Sequence, residues 1–98
     1  TIPDNAVVTL DSVDVLTTFT SAADTATIKV GLATNGDLST AIAINDGTNP
    51  WDTGAHAGSA YTPILVKTTG ARLIVVTSAT QAITAGKCVF CFRYYVTV

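Results

Sequence analysis

There is no glutamate in this 98-residue chain and no methionine, and charged side chains make up only 12% of it. Each shortage excludes something. With five Lys and Arg in all and a formal net charge of −2, the chain lacks the clustered cations that phosphate backbones demand, so nucleic acid is not an expected partner. No apolar run approaches the ~20 residues of a membrane-spanning helix. Residues 1–10 show neither the charged start nor the apolar stretch of a signal peptide. No membrane is expected either. The want of methionine, the initiator included, reads as a processed or trimmed chain, or a piece of something longer.

Cysteine is scarce as well. Cys88 and Cys91 form one Cys-x-x-Cys pair, whereas a zinc site takes four ligands and the rest of the chain offers only His56. In a strand, residues three apart point to opposite faces, so the two sulfurs cannot readily bridge. Buried free thiols are expected, with no metal and no cofactor.

What abounds is Thr and Val. Both are β-branched, fit a pleated sheet and lose rotamer freedom in a helix. Apolar residues reach 48%, enough for one domain over residues 1–98 with a core of its own. Low charge in such a chain has two readings: a surface partly covered by partners, or a Thr- and Ala-coated protein kept soluble by hydroxyls.

The charge is unevenly placed. All seven Asp lie between Asp4 and Asp52, with Lys29 as the one cation among them, giving −6. Lys67, Arg72, Lys87 and Arg93 follow, giving +4. Either the two halves meet within one fold, or acidic and basic faces dock onto different neighbours.

Period-two alternation runs through most of the chain. Residues 6–10 form a short apolar segment, and Val13, Val15, Thr17 and Phe19 alternate with Asp14, Leu16 and Thr18. In 25–33, Ile28, Val30 and Leu32 share one face. Asn35-Gly36 then predicts a type I′ hairpin tip, because both residues tolerate positive φ, with a returning strand over 38–44. Further strands are expected at 61–67, with Pro63 marking an edge, and at 72–77, where the run 73–76 reads as core. Thr84-Ala85-Gly86 predicts a last turn into a strand over 87–98. That strand places Cys88, Phe90, Phe92, Tyr94 and Val96 on one side as an aromatic core stripe. Seven or eight strands, with turn signals every 8–12 residues, predict an all-β, two-sheet antiparallel sandwich of jelly-roll-like type.

Residues 45–60 break the pattern with three Gly and one Pro, and they hold the only Trp and the only His. Loops of about this length tend to be functional or to pack as a unit. Trp51, Asp52, His56 and Tyr61 are the candidate contact residues here. Trp51 is read as the anchor of the loop, under the sandwich edge or in a subunit interface, before it is read as a sugar-stacking platform. His56, with Asp46, Asp52 and Ser59 nearby, lacks the Gly-x-Ser-x-Gly elbow of a hydrolase nucleophile. Paired catalytic carboxylates need rigid elements across a cleft, and these Asp sit on turns. Asn45, Asp46, Asn49 and Asp52 do not match a calcium loop and suit turn-making instead. The expectation is not an enzyme.

Three segments together resemble a known group. They are Ile2-Pro3-Asp4-Asn5-Ala6 leading to Asp14-Val15-Leu16-Thr17-Thr18-Phe19-Thr20-Ser21-Ala22; then Ala41-Ile42-Ala43-Ile44-Asn45-Asp46-Gly47-Thr48-Asn49-Pro50-Trp51-Asp52-Thr53-Gly54; then 73–98 with Thr84-Ala85-Gly86-Lys87. The set is similar to small structural domains of tailed-bacteriophage virions, of the capsid decoration (cement) or head-fibre type. The resemblance implies a β-sandwich or jelly roll, association as a homotrimer, and a seat on the virion against the major capsid protein or another virion protein. It departs from the group in showing no N-terminal arm ahead of the first strand. The function expected is a structural component that decorates or stabilises the capsid. The alternative is a carbohydrate- or receptor-binding module of a phage fibre.

Overall fold

The computed structural model of this chain describes residues 1–97. Among them lie eight strands: β1 (Ala6–Ser21), β2 (Thr27–Leu32), β3 (Gly36–Asp37), β4 (Ile42–Ala43), β5 (Gly54–Ala57), β6 (Val66–Lys67), β7 (Ile74–Ala79) and β8 (Ile83–Val96). A 3₁₀ turn, Gly58–Tyr61, follows β5. All pairings are antiparallel and fall into two four-stranded sheets, as the alternation predicts.

In the first sheet β1 is central. Val7 pairs with both Lys67 of β6 and Tyr95 of β8, and Ser12 with both Ala57 of β5 and Cys91 of β8. A residue has only two sides, so β5 and β6 share one side of β1 and β8 takes the other. The second sheet repeats this plan around β2: Gly31 pairs with Asp37 of β3 and Val75 of β7, and Ile28 with Ile42 of β4 and Ser78 of β7. Both sheets therefore end, on one side, in a single edge strand: β8 in one and β7 in the other.

Residues 6–21 make one strand rather than two because bulges absorb the breaks in their pattern. Asp11 and Leu16 are extra residues against β8, and each bulge resets which side chains face inward. Ala6, Val8, Leu10, Val13 and Val15 are all buried as a result. Across from them lie Ile28, Val30 and Leu32 of β2. The core clusters join Leu10, Val13, Val15, Ile28, Trp51 and Tyr61 at one end, and Ile2, Val8, Leu32 and Leu38 at the other.

Four expected elements differ in the structure. The hairpin tip is the three residues 33–35, since Leu32 pairs with Gly36. Positive φ falls on Thr34 (58°) and Gly36 (108°), not on Asn35, so this is no type I′ turn. Asn35 instead turns its side chain to the 67–72 segment. Its amide donates to the Lys67 carbonyl, and its Oδ1 accepts from Thr69 and from Arg72 Nε. The returning strand is interrupted after Asp37, because Leu38 and Ser39 both donate backbone N–H to the Val30 carbonyl. The strand expected at 61–67 shrinks to β6, with Tyr61 in the 3₁₀ turn and Thr62 at φ 50°.

The last difference is at 84–86, where β8 runs through without turning. The reversal lies at 80–82, held by Gln81, whose Oε1 accepts from Ser21 Oγ and from the Ala23 N–H. Gly86 at φ 144° is a kink inside the strand, and a β-carbon there would land on the Phe19 ring. The glycine marks a close approach of ring to backbone, not a loop. Val98, the expected end of the last strand, lies outside the described residues.

Candidate functional site

The segment 45–60 packs as a unit. Trp51 is 1% exposed and makes edge-on contacts with Phe19, Tyr61 and Phe90, ring centroids 5.5, 4.9 and 6.3 Å apart. Its indole N–H donates to the Ile42 carbonyl at 3.2 Å. Tyr61 is 0% exposed, and its hydroxyl donates to the Pro50 carbonyl. These bonds let the two polar aromatics lie in the core at little cost. Burial pushes the Tyr61 phenol up to about 12, with a smaller contribution from Cys88. Trp51 thus sits beneath the sandwich edge of its own chain. Neither it nor Tyr61 presents a face to a sugar or a partner, so the contact surface expected from them is not formed.

Asp52 and His56 are half-buried. His56 Nε2 donates to the Asp52 backbone carbonyl at 2.7 Å; its ring makes no hydrogen bond to Ser59 or to a carboxylate among the described residues. Asp46 Oδ1 accepts from the Thr48 hydroxyl and N–H, which hold its carboxyl below the usual range. That carboxylate closes its own turn. Among the described residues no three His, Cys, Asp or Glu gather closely enough to hold a metal ion.

The cysteine pair splits as strand geometry requires. Cys88 lies opposite Val15, facing inward, while Cys91 lies opposite Ser12, facing outward. Both are free. Cys88 is half-buried, and burial raises its thiol above the ordinary value. Cys91 is exposed, which corrects the expectation of two buried thiols.

The feature that sequence reasoning misjudged is the edge formed by β7 and β8. Cys88, Phe90, Phe92 and Tyr94 do face the gap between the sheets, across from Val15, Val13, Leu10 and Val8. They are not enclosed there. Phe90 and Phe92 are half-buried, and Tyr94 is 48% exposed. Opposite them on β7, Val76 pairs with buried Val30 and faces the same way, yet it is 50% exposed. The run 73–76 is therefore core only at Ile74, which packs half-buried against the cluster of Ile2, Val8, Leu32 and Leu38; Leu73, Val75 and Val76 are all exposed. An open cleft of about 210 Å³ enters the interior between Val76 and Ser78 on one strand and Cys88 and Phe90 on the other.

The opposite edge is filled from within, although a surface groove of about 410 Å³ runs along it. Trp51 plugs the edge from within, and Ile64 N–H donates to the Leu38 carbonyl at 3.0 Å, tying the two sheets' connections together. The two sides thus differ: buried aromatics fill one, whereas inward-facing aromatics at the other stay partly exposed. No signal in the chain distinguishes them, because an inward-facing aromatic has the same spacing whether or not a neighbour covers it. Scans against family models, curated proteins and solved structures find no match for this chain.

Proposed function

We propose that this protein is a structural subunit that works by association: a virion component that decorates or stabilises a tailed-phage capsid as a homo-oligomer, a trimer in the resemblance noted above. One observation carries the reading. Two edge strands expose inward-facing apolar side chains beside an apolar cleft, and such surfaces mark interaction sites. Natural sheets usually protect long edges with charge, proline or a covering segment. Here β8 presents 14 residues with Lys87 and Arg93 as its only charges, and nothing within residues 1–97 covers it. A neighbouring subunit removes that exposure, and closed symmetric assemblies are the common way to do so. A jelly-roll-like topology and a seat beside the major capsid protein belong to the same proposal. The sugar-binding alternative is disfavoured because its platform, Trp51, is buried.

Two measurements test the reading. Light scattering or native mass spectrometry at micromolar concentration is expected to give a multiple of the 10.1 kDa chain mass. Raising salt to about 1 M should not dissociate it, because screening within roughly 3 Å weakens only the exposed ion pairs. A monomer under both conditions overturns self-assembly. Antibody against the chain, applied to phage particles from cells carrying its gene, is expected to label the capsid exterior; unlabelled particles overturn the virion assignment.

A further inference from the structure

The two edges of the sandwich differ in charge as well as in closure. β7 and β8, with the turn between them, carry Lys87 and Arg93 and no acidic residue. The opposite edge is built from residues 36–67, spanning β3, β4, β5, the 3₁₀ turn and β6. It carries Asp37, Asp46 and Asp52 against a single cation, Lys67 of β6. The two edges therefore differ in formal charge, Lys87 and Arg93 on one against three Asp and one Lys on the other, while Asp4, Asp11, Asp14 and Asp24 lie on neither. Some of it is matched internally, since Asp37 lies 3.6 Å from Lys29 and Arg93 bonds Asp11. Lys87 on one edge, and Asp46, Asp52 and Lys67 on the other, have no ion-pair partner among the described residues.

Exposed apolar bulk occurs on both edges, Ile64 and Leu65 standing beside β6, but the groove of small residues lies on the acidic one. The acidic edge holds a groove of about 410 Å³ whose lining is mostly small: Thr40, Ala41, Ala43 and Ala60, with Asp46 on its wall. The basic edge carries the bulky exposed side chains Leu73, Val76, Tyr94 and Tyr95. Two basic edges brought together about a two-fold axis would set cations against cations, and like charges across an interface are unfavourable. A basic edge set against an acidic one pairs opposite charges and puts large side chains beside a small-lined groove.

We propose that copies of this chain associate head to tail, the open β7–β8 edge of one seating on the 36–67 edge of the next. This rests on the self-assembly reading above and adds its surface and its handedness. A heterologous contact of this kind closes into a ring when its rotation permits and otherwise propagates. The apolar cleft supplies the core of the contact, and the charges fix orientation more than affinity.

The experiment is sedimentation velocity on the full chain and four variants, with far-UV circular dichroism as the check on folding. Val76→Asp, at an exposed site, is expected to reduce the assembly to monomer. Lys87→Asp alone and Asp46→Lys/Asp52→Lys together should each weaken association about three- to tenfold. Combining all three substitutions should restore most of the loss. Should the Asp46 change disturb its turn, Asp52→Lys with Lys87→Asp provides the same reversal. If Lys87→Asp strengthens association while the Asp variants do nothing, the contact is two-fold and the proposal fails. Wild-type oligomers that survive both Val76→Asp and the charge reversals also overturn it, without touching self-assembly. A monomeric wild type sinks both readings together.

Discussion

Replacing Tyr61 with Phe removes one oxygen from the middle of the core, and its cost should depend on pH. The Tyr61 hydroxyl donates to the Pro50 carbonyl, and both residues are buried. Deleting the donor leaves a buried acceptor unpaired, which costs about 1–3 kcal/mol. For a domain of this size each kcal/mol lowers the melting temperature by roughly 4–8 °C. Alkali changes the comparison. The phenol titrates near 10 when unfolded and at about 12 in the fold, because burial disfavours the phenolate. With the folded value raised, the unfolded chain loses this proton first. The contribution of Tyr61 is complete below pH 10 and is lost as pH climbs from 10 through 12. By about pH 11.5 the loss approaches ~2 kcal/mol. Tyr61→Phe has no such proton to lose, so the gap between the two proteins should narrow by that amount. Urea unfolding followed by the fluorescence of Trp51, at pH 8 and at about pH 11.5, reads the gap directly, because the other titrating groups are common to both proteins. An equal gap at the two pH values would refute the buried hydrogen-bonded phenol.

Two further predictions follow from local geometry. Gly86→Ala should destabilise by about 1–3 kcal/mol, since the new methyl meets the Phe19 ring and φ is 144°; Gly47→Ala, with open space around it, should stay within about 0.5 kcal/mol, and equal melting points for the two would contradict the kink. A thiol reagent at pH 8 should modify Cys91 before Cys88, because Cys91 is exposed while burial both shields Cys88 and keeps it protonated; peptide mapping of the labelled protein checks the order.

The alternation of Thr and Val with apolar partners determined the fold class by itself. Side chains two apart in a strand share a face, so Ile28, Val30 and Leu32 were legible as core without coordinates, and they are buried. Spacing also separated Cys88 from Cys91 onto opposite faces. Tertiary structure alone decided where strands begin and end. Bulges at Asp11 and Leu16 join two apparent strands into β1, Gly86 accommodates a ring rather than a turn, and the hairpin tip moved because Leu32 pairs with Gly36. Each depends on a partner far along the chain, which no local pattern records. The same holds for the candidate site. Period two states that Phe90, Tyr94 and Val76 face inward, but not whether the two edge strands close over them. Their exposure, and the difference in charge between the two edges, appear only when β1 and β2 take different partners on their two sides.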